Sequence, residues 1–127
     1  MNTIKIILAF ISSSFIYLLG GIDIALECLL IAIVIDYLTG IFKAYKFKKL
    51  SSNTGLFGII KKIGMLLLVM LAVLIDRMLG DSGAIRTLII YYLVANEGLS
   101  IIENLSEIGI LVPDFIKEKL EQLKERE

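Results

Sequence analysis

Two carboxylates, Asp36 and Glu97, lie inside long apolar runs of the chain. An ionised carboxyl surrounded by hydrocarbon is expensive, so each must find a cation, a proton or water. Asp36 is about two turns from Lys43 on a similar helix face. By depth, its expected partner is Lys61 or Lys62, whose long stems can carry an ammonium some distance from the backbone. Glu97 stands beyond Arg86, about 16 Å deeper at a helical rise of 1.5 Å per residue. No cation of the same chain is expected at that depth, so Glu97 should hold a proton or face water in an assembly. Asp76 and Glu27 fall near the opposite ends of their runs, where Arg77 or Arg86 can reach them.

Asn96, Ser100, Glu103 and Glu107 recur at one helical face, and Tyr92 extends that stripe. Such a stripe is either hydrogen-bonding glue between packed helices or a surface that wets when subunits associate. Gly40 and Ala44 form a small pair one turn apart that permits close helix approach. Enzyme chemistry is poorly provided for. The chain has no histidine and one cysteine, Cys28, which excludes an internal disulfide and His-based nucleophile–base or metal pairings. No cofactor, metal or nucleic acid is expected, and Cys28 in its apolar run reads as a small hydrophobe. A buried carboxylate that exchanges protons for a cation, as in a small four-helix multidrug transporter, is an alternative use of Glu97 or Asp36. Such a site prefers an aromatic-lined pocket, and with no tryptophan present only Tyr91 and Tyr92 are close to Glu97 in sequence.

The elements that must position these groups are apolar helices. In 127 residues, 57% are hydrophobic and the mean hydropathy is +0.87, more apolar surface than a soluble domain of this size can hide. Four stretches, roughly 4–19, 24–42, 63–79 and 85–102, approach the length that crosses a bilayer. The first is short and carries Ser12, Ser13 and Ser14, which leaves a three-span version open. It lacks a small-residue cleavage pattern and is expected to be retained. Gly20-Gly21-Ile22-Asp23 and Gly80-Asp81-Ser82-Gly83 read as turns, and Ser51-Ser52-Asn53-Thr54-Gly55 as a polar loop. The expected fold is all-α, with about four transmembrane helices in residues 1–112 and a charged amphipathic tail in residues 113–127.

Acidic and basic residues balance at 13 each, but their placement does not. Lys43, Lys46, Lys48, Lys49, Lys61 and Lys62 cluster around the link between the second and third stretches, which should therefore be cytoplasmic. With four spans, Lys5 and the tail cations Lys117, Lys119, Lys124 and Arg126 also fall inside, leaving Arg77 and Arg86 outside. After Pro113, Asp114 can begin a helix on which Ile116, Leu120 and Leu123 share a face. That helix is expected to lie on the membrane, to pair with a copy of itself or to be solvated.

Several separated blocks carry a resemblance. They are Asp36-Tyr37-Leu38-Thr39-Gly40; Lys49-Leu50-Ser51-Ser52 with Gly55, Gly58, Lys61 and Lys62; and Asn96-Glu97-Gly98-Leu99-Ser100-Ile101-Ile102-Glu103-Asn104 with Gly109 and Val112-Pro113. In order and spacing they resemble the toxin-secretion/phage-lysis holin family of Gram-positive phages, which includes holin-like proteins encoded beside large clostridial toxins. The first stretch carries no signature, and Val73 stands where many members have a polar residue.

The resemblance implies a protein that gathers in the bacterial cytoplasmic membrane, oligomerises with itself and opens lesions for an endolysin or a large toxin. An antiholin, which delays a holin by binding it, would look much the same. On this reading the contact or pore-lining candidates are Asp36, Thr39, Gly40, Lys43, Asn96, Glu97, Ser100, Glu103 and Asn104.

Overall fold

The computed structural model describes residues 2–80 and 82–125, so Met1, Asp81, Arg126 and Glu127 lie outside the description, and with them the expected turn position of Asp81 and the tail cation Arg126. It is all helical: α1 (Asn2–Leu18), α2 (Ile24–Lys46), α3 (Ser52–Leu79), α4 (Ala84–Glu107) and α5 (Asp114–Glu125). Three of these, α2, α3 and α4, are long and apolar enough to cross a membrane, whereas α1 has 17 residues and sits at the short limit for a span.

Each boundary has a local cause. Asp23 caps α2 by accepting from the Leu26 N–H at 2.9 Å, and Ser51 caps α3 by accepting from the Thr54 N–H at 3.1 Å. A capping side chain satisfies one of the backbone donors that a helix start leaves open. Gly80, at φ 67°, ends α3 in the left-handed region, where a glycine is least strained.

The Ser51–Gly55 stretch is therefore not a loop, which corrects the sequence-based expectation. Its polarity belongs to a cap and a first helical turn, and α3 begins eleven residues before Ile63. Lys61 and Lys62 consequently lie within a helix rather than beside a link.

α4 is the centre of the bundle, packing against α2, α3 and α5. Its buried face runs Arg86, Ile90, Leu93, Glu97 and Asn104, an alternating three-and-four spacing that keeps one seam facing its neighbours. α2 supplies Leu26, Leu29, Asp36 and Thr39 to the interior; α3 supplies Val69, Ala72, Val73 and Asp76. The apolar core lies between Leu26, Leu29, Val69, Ile90 and Leu93.

Outside, the order is reversed. Large apolar side chains such as Ile24, Phe57, Leu71 and Met78 are exposed, as expected of a surface that meets lipid. α1 contributes no buried residue. It is tied down at its C-terminal end, where the Arg77 guanidinium donates to the Tyr17 carbonyl at 2.8 Å and stacks 3.9 Å from the Tyr17 ring centre.

α5 follows Pro113 and folds back along α4, so Leu120 rests directly on Gly98. The Lys124 ammonium lies 5.7 Å from the centre of the Tyr92 ring. The tail helix thus finds its apolar partner within its own chain, an arrangement the sequence reading did not weigh.

The turn between α1 and α2 gives the sharpest steric demand. Gly20 (φ +84°) and Gly21 (φ +92°) both adopt backbone that disfavours a side chain, but a Cβ on Gly20 would lie 2.6 Å from Arg86 Nε, whereas one on Gly21 would meet nothing within 4 Å. Gly21→Ala should therefore lower stability by about 1–2 kcal/mol, the conformational cost alone. Gly20→Ala should lower it further by displacing Arg86. Thermal unfolding of the two variants in detergent checks this order, and equal losses would contradict it.

Candidate functional site: two polar clusters across the helix bundle

Two groups of buried polar side chains lie at opposite ends of the apolar core. The first gathers at the turns joining α1 to α2 and α3 to α4. Arg86, 8% exposed, donates to the Leu19 carbonyl at 2.6 Å, the Gly21 carbonyl at 2.9 Å and Asp23 Oδ2 at 2.7 Å. One guanidinium thus pins an entire turn with its fixed fork of donors. The Arg86 guanidinium holds the Asp23 carboxyl below its usual range, against an opposing effect of burial and with help from the Leu26 N–H.

Asp76 completes this cluster from α3. Its two oxygens accept from the backbone N–H groups of Ile85 at 3.0 Å and Arg86 at 2.9 Å. A carboxylate from one helix therefore caps the start of the next, where Gly83 offers no side chain to do so. Asp76 was expected to meet Arg77 or Arg86; it meets Arg86, through that residue's main-chain N–H. Glu27 is exposed in the first turn of α2 and pairs with neither arginine.

The second cluster lies two heptads earlier in α3, about 21 Å from Asp76. Here the Lys62 ammonium bridges Asp36 of α2 and Glu97 of α4, donating to Asp36 Oδ2 and Glu97 Oε1. All three side chains are largely buried. The other Asp36 oxygen accepts from Asn104 Nδ2 at 3.1 Å. The same amide donates to Thr39 Oγ1 at 3.0 Å, and the Thr39 hydroxyl in turn donates to the Ile35 carbonyl at 2.9 Å. Among the described residues, no buried side-chain nitrogen or oxygen lacks a partner.

The geometry explains why these three meet. Asp36 is about 18 Å along α2 from Ile24 and Glu97 about 20 Å along α4 from Ala84, so they come level. Lys62 lies one heptad before Val69 and two before Asp76, on the face of α3 that turns toward α4. The pairing of Asp36 with Lys62 was anticipated. The expectation that Glu97 has no cation at its depth is overturned, because α3 starts earlier than its apolar run suggests and delivers Lys62 to both carboxylates.

Of the remaining candidates, Gly40 faces Asn104, whose amide would lie 3.7 Å from a Cβ there; this is the close α2–α4 approach that the small residue permits. Lys43 reaches Glu107 at 3.9 Å on the exposed end of the bundle, and the Lys46 ammonium donates to the Glu107 carbonyl at 2.9 Å.

Asn96, Ser100 and Glu103 do not enter the ion cluster's hydrogen bonds. They line a groove of about 840 Å³ among α3, α4 and the start of α5, which Lys61, Met65, Pro113, Asp114 and Lys117 also border. Thr39, Gly40, Asp36, Glu97 and Asn104 are thus brought together inside one chain, and the Asn96–Ser100–Glu103 stripe is left beside them. Arg86 and Asp23 were not singled out as site residues. The signal available was the continuation of the α4 seam, in which Arg86 stands one turn before Ile90.

Removing one partner of a buried ion pair strands the other. Lys62→Met should cost about 3–5 kcal/mol of stability, read as a fall in melting temperature in detergent. Adding Asp36→Leu and Glu97→Leu to that variant should recover most of the loss. If Lys62→Met melts with the parent protein, the ammonium does not hold the two carboxylates.

A model of the bacteriophage holin family matches residues 13–125. An uncharacterised protein of Clostridium perfringens strain 13 is 42% identical over 97% of this chain and 92% of its own length. An uncharacterised 14.9 kDa protein from the nagH 3′ region of Clostridium perfringens is 42% identical over 99% of this chain and 96% of its own. A probable holin of Bacillus phage phi105 is 38% identical over 82% of this chain and 76% of its own. No solved structure matches. With the family match extending from α1 into α5 and three helices suited to a bilayer, the chain belongs to the bacteriophage holin family and is a holin-type membrane protein.

Proposed function

We propose that the protein accumulates in a bacterial cytoplasmic membrane, with its N-terminus and the α2–α3 link inside and α5 returning from the inner side along α4 rather than lying free in the cytoplasm, and assembles with copies of itself into lesions that let an endolysin cross. In a toxin-producing host the cargo would be a large toxin. The observation that carries this reading is the likeness to a probable phage holin across most of the chain. The lysines around the α2–α3 link support the orientation by the excess of cations on cytoplasmic segments.

The assembly contact is the stripe of Asn96, Ser100 and Glu103. The buried polar groups Asp36, Thr39, Lys62, Glu97 and Asn104 are engaged with one another within one subunit, while Asn96, Ser100 and Glu103 line an open groove. The outward face of α5 lends a second support. Lys117, Glu118, Lys119 and Glu121 are exposed on a helix that runs alongside α4 as far as Tyr92. Charges at that level require water rather than hydrocarbon on their side of the molecule. A face opening onto an aqueous lesion provides it, with the apolar faces of α2 and α3 turned to lipid.

Induced expression in a bacterium that also makes an endolysin without an export signal is the test. Growth should stop abruptly after a delay, with collapse of membrane potential and lysis. Asn96→Leu should insert normally yet delay lysis, since each lost interhelical hydrogen bond removes about 0.6–2 kcal/mol at every repeated contact. Potential that persists at high membrane levels of the parent protein would overturn the reading.

A further inference from the structure

α2 and α3 are held together largely through α4, and they meet each other directly at the Asp36–Lys62 pair and at Tyr37. The Tyr37 hydroxyl donates to the Gly55 carbonyl at 3.2 Å, and its ring lies against Gly58. On either side of this contact a cavity opens along the two helices, the first of them backed by Ser100 and Asn104 of α4. Toward the α2–α3 link is a space of about 270 Å³ whose lining includes Lys49 and Lys61. In the opposite direction is an apolar space of about 310 Å³ between Leu30 and Val34 of α2 and Ile63 and Leu66 of α3. Tyr37 borders both.

The charges around the first space are unevenly spent. Asp36 and Lys62 also reach it, but they are bound to each other and to Glu97 and Asn104. Lys49 and Lys61 are exposed and make no ion pair among the described residues. Lys61 also borders the groove that Glu103 and Glu107 line, but neither it nor Lys49 is ion-paired among the described residues, so two ammonium groups stand available at the mouth of a groove whose other half is apolar. The complement of that arrangement is an amphiphile with an anionic head.

We infer that the α2–α3 groove is a seat for an anionic phospholipid, its phosphate held by Lys49 and Lys61 and an acyl chain lying past Tyr37 between α2 and α3. Basic pockets between membrane helices on the side rich in lysine suit such headgroups. The lipid would fill the gap that the sparse α2–α3 contact leaves, so its binding should stiffen the bundle.

The full chain, purified in a neutral detergent, tests this without any lysis assay, so its outcome is separate from that of the proposed function. Phosphatidylglycerol should raise the melting temperature, and phosphatidylcholine or inorganic phosphate at matched ionic strength should not. By native mass spectrometry, Lys49→Gln with Lys61→Gln should weaken phosphatidylglycerol retention about thirtyfold, the loss expected for two lysines at a membrane surface. The charge-matched control, Lys48→Gln with Lys119→Gln, should weaken it less than about threefold. If both double variants lose the lipid equally, the attraction is diffuse and the seat does not exist. If phosphate alone reproduces the thermal shift, the site takes a free anion and the lipid assignment is wrong.

Discussion

Hydrocarbon offers no hydrogen bonds, so every polar group placed among membrane helices must be satisfied by protein. In this bundle that constraint is met at two levels, and the rest of the architecture follows from where they lie. Arg86 with Asp23 and Asp76 fixes the two turns at one end. Lys62 with Asp36 and Glu97 ties α2, α3 and α4 together toward the other. Between them sits the apolar core of Leu26, Leu29, Val69, Ile90 and Leu93. Apolar packing alone gives little reason for one register over another in lipid, since the tails are as apolar as leucine. The two clusters supply that register, because a shift of one turn in α2, α3 or α4 would part a buried charge from its partner.

This division leaves little polarity for contacts between subunits. Thr39, Asn104 and the ion cluster are engaged inside the chain. Asn96, Ser100 and Glu103 face a groove that α5 borders at its start, and α5 itself is held by the seating of Leu120 on Gly98. A chain built this way can be stable as a single subunit and still carry a polar face for association.

Most of the helical plan was readable from composition and punctuation. The glycine pairs marked the turns, Pro113 and Asp114 marked the last helix, and the seam of α4 could be followed by its spacing. What the apolar runs concealed was the start of α3. Ser51 to Gly55 has the composition of a loop, and only the Ser51 side chain folding onto the Thr54 N–H makes it a helix start. That error moved Lys62 out of the interior and left Glu97 without a cation. The place of α5 was not legible either, because a twelve-residue amphipathic helix suits a membrane surface, a second copy or its own α4 equally well. Gly98 was the available hint, a bare patch on α4 wide enough for Leu120.

The central claim is that one lysine joins two carboxylates within a single chain in the membrane. Solid-state NMR in lipid bilayers measures it directly, by dipolar dephasing between 15N at Lys62 Nζ and 13C at the side-chain carboxyls of Asp36 and Glu97. Both carboxyls should dephase the lysine signal, and diluting labelled chains into unlabelled ones should leave the effect unchanged. Dephasing by only one carboxyl, or its loss on dilution, would contradict the account.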